Sequence, residues 1–274
     1  MSLLQRVLYG LISGFSELLP VSSQAHQAIM LRLFGADGRE PLMDLLVHLA
    51  VLLALFTGCR AMISRIQRER SLESHSRRGR RVRSSGTYEL RLLRSAALPL
   101  MLVLLIYISA RRMESSMTAL ALLLVINGVL LIIPEHSRQA NKDARLMSGL
   151  DAIAMGILGG LSALPGISRI GMISTYGLLR GADKQYVLNW ALLLSIPALA
   201  LMCILDLVFV FVSGIGPITF LVILGYFLAG VAAYLGAYLS VIFIRFLTVR
   251  SGYSAFAYYS WGAALFAMIL YLIV

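Results

Sequence analysis

Six long apolar runs constrain this chain more than any other feature. They lie at 42–59, 92–110, 117–134, 187–212, 217–246 and 255–274, each near or above the roughly 20 residues that a helix needs to cross a bilayer core. Apolar residues make up 59% of the 274 residues and charged residues only 14%, too few to cover a soluble globule. The sequence therefore predicts an all-α integral membrane protein with six transmembrane helices.

Two further apolar stretches, Leu3–Phe34 and Leu150–Leu179, are each interrupted at a Leu-Pro pair and repeat one another. They contain LYGLISGFSELLPVSSQAH from residue 8 and MGILGGLSALPGISRIG from residue 155, and an offset of 146 aligns their first glycines. Each predicts a re-entrant helix hairpin, because interrupted backbone is tolerated in a membrane only where protein or water surrounds it. The repeats are residues 1–147 and 148–274, each with one hairpin and three spans. An odd number of spans makes the repeats inverted, so the hairpin tips can meet near the midplane.

The net charge of +11 is concentrated in one predicted loop, residues 60–94, which holds eleven arginines. By the positive-inside rule this loop is cytoplasmic, and both termini are then outside. The segment lacks interleaved aromatic residues and any nucleic-acid-binding motif, so we expect contacts with membrane lipids and no nucleic-acid partner.

Ionisable residues stand at both breaks of the apolar stretches. Glu17, His26 and Arg169 lie there, and an ionisable residue inside a membrane indicates a functional site. Their neighbours are hydroxyls and glycines, which together with a guanidinium favour an anion site for phosphate: Ser22, Ser23, Ser168, Gly166 and Gly171. The alternative is a purely structural Glu17–Arg169 pair that holds the two hairpins together.

The segment ELLPVSSQAH resembles the motif E-[FL]-[LI]-P-V-S-S-[TS]-[GA]-H of the undecaprenyl-diphosphate phosphatase family, the bacitracin-resistance membrane proteins. PGISRIG resembles its P-G-x-S-R-S-G motif, and the likeness extends over nearly the whole chain, including DLLVHLAVLLA from residue 44 and SAFAYYSWG from residue 254. The resemblance implies a multi-pass protein of the bacterial inner membrane, with six spans and two inverted re-entrant hairpins, usually dimeric. It implies removal of the terminal phosphate from a polyprenyl diphosphate, the C55 lipid, which recycles the carrier for cell-wall synthesis.

Residue by residue, the resemblance implies that Glu17 is the essential acid, Ser23 the candidate nucleophile, His26 the family histidine and Arg169 the phosphate-binding arginine. In the predicted mechanism Ser23 attacks, His26 is the base and Glu17 orients it. The diphosphate is held by Arg169, Ser22, Ser168 and the backbone near Gly166 and Gly171. Two alternatives stay open: His26 as the nucleophile, and Glu17 as a ligand of a divalent cation, Mg²⁺ or Ca²⁺.

The chain departs from the family pattern at several positions. Ser13 stands where the family usually has an acid or amide, Ile170 replaces a serine, and Gln24-Ala25 replaces Thr-Gly. The competing hypothesis is therefore a transporter of polyprenyl phosphate or another anionic lipid, built on the same fold with a weakened catalytic site. Retention of the four site residues favours the enzyme.

Other polar residues in the apolar runs are less informative. His48 is predicted either to line the cavity or to pack between helices, and Asp206 to be a paired intramembrane acid. The tyrosines from Tyr253 to Tyr271 are predicted to be interface anchors and packing residues.

Overall fold

The computed structural model describes residues 1–36, 38–75, 85–136, 146–216 and 219–273. The helices of these residues are α1 (Leu3–Glu17), α2 (Ser23–Leu33), α3 (Pro41–Gly58), α4 (Arg60–His75), α5 (Ser85–Leu104), α6 (Tyr107–Ala110), α7 (Met117–Ile132), α8 (Gly149–Gly160), α9 (Arg169–Leu179), α10 (Lys184–Ser213), α11 (Phe220–Ser251) and α12 (Ser254–Ile273). Short 3₁₀ turns lie at Arg111–Ser115, Ile133–His136 and Leu161–Ala163.

The prediction of six spans is confirmed. Within the described residues six helical segments are long and apolar enough to cross a membrane: Pro41–Gly58, Gly86–Ala110, Met117–Glu135, Lys184–Ser213, Phe220–Thr248 and Ser254–Ile273. Their outward faces carry large apolar side chains such as Phe211, Phe220 and Leu272, which are 80%, 77% and 77% exposed. Such a surface requires an apolar solvent, so this is a multi-pass membrane protein.

The prediction of a loop at 60–94 is wrong over most of that range. The chain is helical through α4 and resumes as a helix at the start of α5, while residues 76–84 lie outside the described part. Arg65 bonds Glu69 one turn along α4 at 3.3 Å and Glu89 of α5 at 2.7 Å. Arginine and glutamate are good helix formers, and oppositely charged pairs four residues apart add to helix stability. The charge pattern indicated polarity correctly but did not imply irregular backbone.

The two interrupted stretches form two pairs of short helices, α1 with α2 and α8 with α9. Helix α1 ends at Glu17, three residues before Pro20, and α8 ends at Gly160, ahead of Pro165. Proline lacks a backbone donor and disfavours helical geometry in the residue before it, so neither helix continues through its break. Each break therefore leaves polar backbone groups in the interior that need partners.

The repeated glycines allow the same close helix packing in both helix pairs. Helix α1 packs along α11 and α8 packs along α5. A Cβ at Gly10 would collide with the carbonyl of Ala229, and a Cβ at Gly156, its counterpart in the repeat, with the carbonyl of Ala96. Small residues at these positions let the helix backbones approach closely, as in other membrane helix pairs.

Candidate active site

The two helix breaks are bonded directly to each other. The Ser168 hydroxyl donates to the carbonyl of Leu19 at 3.1 Å, and the backbone N–H of Gly166 donates to the Ser22 hydroxyl at 2.9 Å. Both bonds are buried and join residues more than 140 positions apart in the chain. The breaks thus satisfy each other's polar groups and bring the two serine-rich motifs into one site.

Asn127 of α7 connects both breaks from the side. Its side-chain amide donates to the carbonyl of Pro20 at 3.0 Å, and its oxygen accepts from the backbone N–H of Ser168 at 2.9 Å. The residue is 1% exposed. Sequence reasoning missed Asn127, although an amide inside an apolar span was the available signal.

Glu17 is the centre of the site because one carboxylate receives bonds from both helix pairs. Nη2 of Arg169 donates to its Oε1 at 2.8 Å, and the Ser23 hydroxyl donates to its Oε2. Only 9% of the Glu17 side chain and 5% of the Arg169 side chain are exposed. Ser195 of α10, which sequence reasoning also missed, accepts from Nε of Arg169 at 3.0 Å. The guanidinium is therefore held in place from two sides.

His26 lies beside this centre but not on Glu17. Its Nδ1 is 2.7 Å from the carbonyl of Ser22, and its Nε2 is 2.7 Å from the hydroxyl of Tyr259. The two rings are also stacked, with centroids 5.6 Å apart and planes within 4°. The expectation that Glu17 orients His26 is corrected: Glu17 contacts Ser23, and Ser22 and Tyr259 orient the imidazole. Tyr259 was predicted only as a packing or interface residue.

The predicted backbone donors are engaged inside the protein. The N–H of Gly171 donates to the Ser168 hydroxyl at 3.2 Å, as an N-terminal cap of α9, and that of Gly166 is taken by Ser22. Ser22 itself has a φ of 62°, the only left-handed backbone among the described residues other than glycine. Such a conformation costs about 1–3 kcal/mol and is typical of residues constrained for function.

Two cavities of opposite character meet at the site. A polar chamber of only about 20 Å³ is lined by Glu17, Ser22, Ser23, Ser168 and Arg169, among others. An apolar groove of about 980 Å³ runs between α1, α2, α11 and α12, and His26 and Tyr259 lie on its wall. Leu19 lines both cavities. The chamber has room for about one water molecule, so a diphosphate requires it to open.

The two main departures from the family pattern do not line the polar chamber. Ile170 is fully buried in the apolar core, with its side chain among other core residues. Ser13 is also fully buried, and its hydroxyl has no partner among the described residues. The changes at these two positions therefore leave the walls of the chamber intact.

The described residues form no preassembled metal site. They contain no group of three or more histidine, cysteine, aspartate or glutamate side chains placed to hold one. Both carboxylate oxygens of Glu17 are already bonded, to Arg169 and to Ser23. The predicted Mg²⁺ or Ca²⁺ stays a prediction.

Fold and site together define a multi-pass membrane protein with a buried carboxylate, hydroxyl and guanidinium beside an apolar groove. Residues 6–266 match the family described as bacitracin resistance protein BacA, and the chain belongs to that family. Curated relatives include the undecaprenyl-diphosphatase of Carboxydothermus hydrogenoformans, 31% identical over 95% of this chain and 94% of the relative. The undecaprenyl-diphosphatase of Desulforapulum autotrophicum is 30% identical over 98% of both chains, and that of Alkaliphilus metalliredigens 27% over 95% and 96%.

Proposed function

We propose that this protein hydrolyses undecaprenyl diphosphate to undecaprenyl phosphate and inorganic phosphate, and so recycles the lipid carrier for cell-wall synthesis. One observation carries the proposal: Glu17 binds the Ser23 hydroxyl and the Arg169 guanidinium at once, in a polar chamber that shares Leu19 with the apolar groove. The proposed base, Glu17, thus directly contacts both the proposed nucleophile, Ser23, and the proposed phosphate-binding residue, Arg169. Family membership and the names of the relatives support the same reaction.

In this mechanism Arg169 binds the terminal phosphate, because a guanidinium matches phosphate oxygens in charge and geometry. Glu17 accepts the proton of Ser23 as the Ser23 oxygen attacks the terminal phosphorus. The bond between phosphorus and the bridging oxygen breaks, and undecaprenyl phosphate leaves. Ser22 and Ser168, which line the chamber, bind the remaining phosphate oxygens once it opens.

His26 acts in the second step, hydrolysis of the phosphoserine. Its Nδ1 lies against a carbonyl oxygen, which can only accept, so Nδ1 carries a proton and Nε2 is left as the acceptor. Nε2 takes the proton of the attacking water when the Tyr259 hydroxyl gives way to it. The bond between phosphorus and the Ser23 oxygen breaks, phosphate leaves, and the proton that His26 took from water passes to the Ser23 oxygen.

The isoprenoid chain lies in the apolar groove between α1, α2, α11 and α12. The groove wall is almost wholly apolar, and its shared residue Leu19 borders the polar chamber. A lipid in the groove with its diphosphate toward Glu17 therefore needs only a short displacement at the breaks to reach Ser23.

The two helix pairs re-enter the membrane from opposite faces, as two inverted halves whose tips form the site. Equivalent glycines pack α1 on α11 and α8 on α5, which supports this arrangement. The Arg-rich segment at 60–94 is cytoplasmic, both termini lie outside, and the membrane is the bacterial inner membrane. The homodimer stays a prediction.

The experiment is phosphate release from C55 diphosphate by the purified protein in detergent, with Arg169→Ala beside the wild type. We expect one phosphate and one lipid monophosphate per substrate from the wild type and loss of release in the variant. Repeating it after EDTA, and with Mg²⁺ or Ca²⁺ added back, tests the cation. The competing transporter hypothesis would be supported if the folded wild type binds the lipid, releases no phosphate and moves lipid phosphate across a vesicle membrane.

A further inference from the structure

A buried contact between His48 and Asp206 lies outside the candidate active site. Nδ1 of His48 on α3 and Oδ2 of Asp206 on α10 are 2.5 Å apart, and the two side chains are 2% and 0% exposed. Ionisable residues in a membrane interior are costly, and they commonly mark proton or ion pathways. The proposed phosphatase mechanism does not use this pair.

The pair lies between the active site and a second group of charges. On one side, the polar chamber is lined by Glu17 and by Met202 of α10, one helical turn before Asp206. On the other, Asp44 lies one turn before His48 on α3 and is 3.4 Å from Arg111, whose guanidinium lies 5.7 Å from the centre of the Tyr107 ring. The pair therefore lies one helical turn from each of the two groups.

The second group is an arginine cluster, made of Arg39, Asp44, Arg111 and Glu114. Arg39 is 2.5 Å from Glu114 and 3.4 Å from Asp44, and Arg111 is 3.4 Å from the same oxygen of Asp44. Arg39 also lines an open cavity of about 450 Å³ at the protein surface. The cluster therefore connects the buried charges with the exterior.

Five buried polar atoms in and around these groups have no partner among the described residues. They are Ser13 Oγ, Asp206 Oδ1, the Tyr107 hydroxyl, Arg39 Nη2 and Glu114 Oε1. Buried polar groups are almost always hydrogen-bonded, and internal water molecules usually bond those that protein atoms do not reach. This number of unpartnered polar atoms in one region indicates that the region is hydrated rather than a dry core.

We propose that His48, Asp206 and Tyr107 form a hydrated proton relay between Glu17 and the arginine cluster. The inference rests on the proposed function. Hydrolysis of the terminal phosphoanhydride consumes one water and, near neutral pH, yields lipid monophosphate, phosphate and one proton. Glu17 receives the Ser23 proton in a site that is almost closed to solvent, and it must lose that proton before the next turnover.

In the relay internal water carries the proton from Glu17 to Oδ1 of Asp206, the buried oxygen that no described protein atom bonds. Nδ1 of His48 stays bonded to Oδ2 and holds the carboxylate in place. From Asp206 it reaches the hydrated region around Tyr107 and Arg39 and leaves at the surface. No group is oxidised or reduced, and each acceptor returns to its starting state once the proton has left.

The test uses Tyr107→Phe in the purified, full-length protein. This change removes a buried hydroxyl that has no protein partner, so packing alone predicts unchanged or increased stability. The relay predicts a fall in kcat of at least about tenfold, an unchanged KM for C55 diphosphate, a shifted pH–rate profile and a larger effect of D₂O on kcat.

Asp206→Asn, which keeps the shape of the side chain, should show the same changes. Asp151→Asn is the matched control, because Asp151 is also buried but is paired with Arg180 and Ser148 away from the relay. Its kcat and pH profile should match those of the wild type.

The relay is overturned if Tyr107→Phe keeps the wild-type kcat and pH profile, whether or not Asp206→Asn folds. It is also overturned if kcat falls in Tyr107→Phe while the pH profile and the D₂O effect stay unchanged, since that is the behaviour of a structural residue. A wild type that releases no phosphate would instead overturn the proposed function itself.

Discussion

At the scale of single residues, the site depends on one carboxylate that serves two partners. Glu17 accepts from Ser23 and is paired with Arg169, and all three lie in the interior. Removing one member of a buried ion pair leaves the other charge uncompensated, which costs about 3–5 kcal/mol. Loss of either partner should therefore weaken the contact between the two helix breaks, and in the proposed mechanism the same carboxylate activates Ser23.

Glu17→Gln keeps the size of the side chain but removes its charge and its ability to take the Ser23 proton. We expect phosphate release to fall by about 10²–10⁴-fold, the usual contribution of a general base, together with a lower unfolding temperature. Initial rates of phosphate release and thermal unfolding in detergent measure the two effects. Release at the wild-type rate in a folded Glu17→Gln protein would remove Glu17 from the mechanism.

Tyr259→Phe removes the hydroxyl that reaches His26 but keeps the stacked ring. Because Nε2 then has no fixed partner, we expect kcat to fall by about two- to tenfold, with the loss depending on pH, as for a positioning bond worth about 0.5–1.5 kcal/mol. The control is Tyr258→Phe, since Tyr258 is exposed and packs on Trp261 instead. Equal kcat values in the two variants would contradict the role of Tyr259.

Part of the site was predictable at this scale and part was not. Glu17, His26 and Arg169 stand out because charged or titratable side chains are rare in apolar segments. Asn127 and Ser195 do not, because single amides and hydroxyls are common in membrane helices and form their bonds with residues far away in the sequence. Only the fold shows which of them connect the two breaks.

At the scale of helices, close packing of the two helix pairs depends on glycine. The spans were predictable because the length of an apolar run alone fixes them. The Arg-rich segment was not, because its polarity is compatible with a helix as well as with a loop. The glycine repeat gave a sound alignment of the two pairs, but the partners α11 and α5 emerge only from the structure.

Gly10→Ala and Gly156→Ala should both destabilise the protein, since each new methyl group would meet a backbone carbonyl of the neighbouring helix. We expect a loss of about 1–3 kcal/mol for each, typical of overpacking. Gly230→Ala is the matched control, because no atom lies within 4 Å of its added Cβ. Thermal unfolding in one detergent compares the three. A Gly10→Ala protein as stable as Gly230→Ala would contradict the packing described for α1 and α11.

At the scale of the whole molecule, a small polar chamber lies beside a long apolar groove. The chamber has a volume of about 20 Å³, the groove about 980 Å³, and they meet at Leu19. We infer that the groove determines affinity for the lipid and that opening of the breaks admits the diphosphate. Chain-length preference should therefore depend on residues far from Glu17.

Gly262→Leu places a side chain in the groove at a position where no atom obstructs it. We expect the KM for C55 diphosphate to rise by about tenfold, equivalent to about 1.4 kcal/mol, while kcat changes little. Gly230→Leu makes the same change in open space outside the groove and should leave KM unaltered. If KM rises less with a short-chain diphosphate, the new side chain acts on binding of the isoprenoid chain. An unchanged KM in Gly262→Leu would show that the lipid lies elsewhere.

The most direct test of the account is the rate of phosphate release from C55 diphosphate by Ser23→Ala, with Ser22→Ala beside it. Ser23 bonds Glu17, whereas Ser22 bonds Gly166, so the two neighbouring serines have different tasks. We expect a loss of at least about 10³-fold in Ser23→Ala, as for removal of a nucleophile, and a smaller loss in Ser22→Ala. Release by folded Ser23→Ala within tenfold of the wild type would contradict the account and shift the attack to His26 or to water.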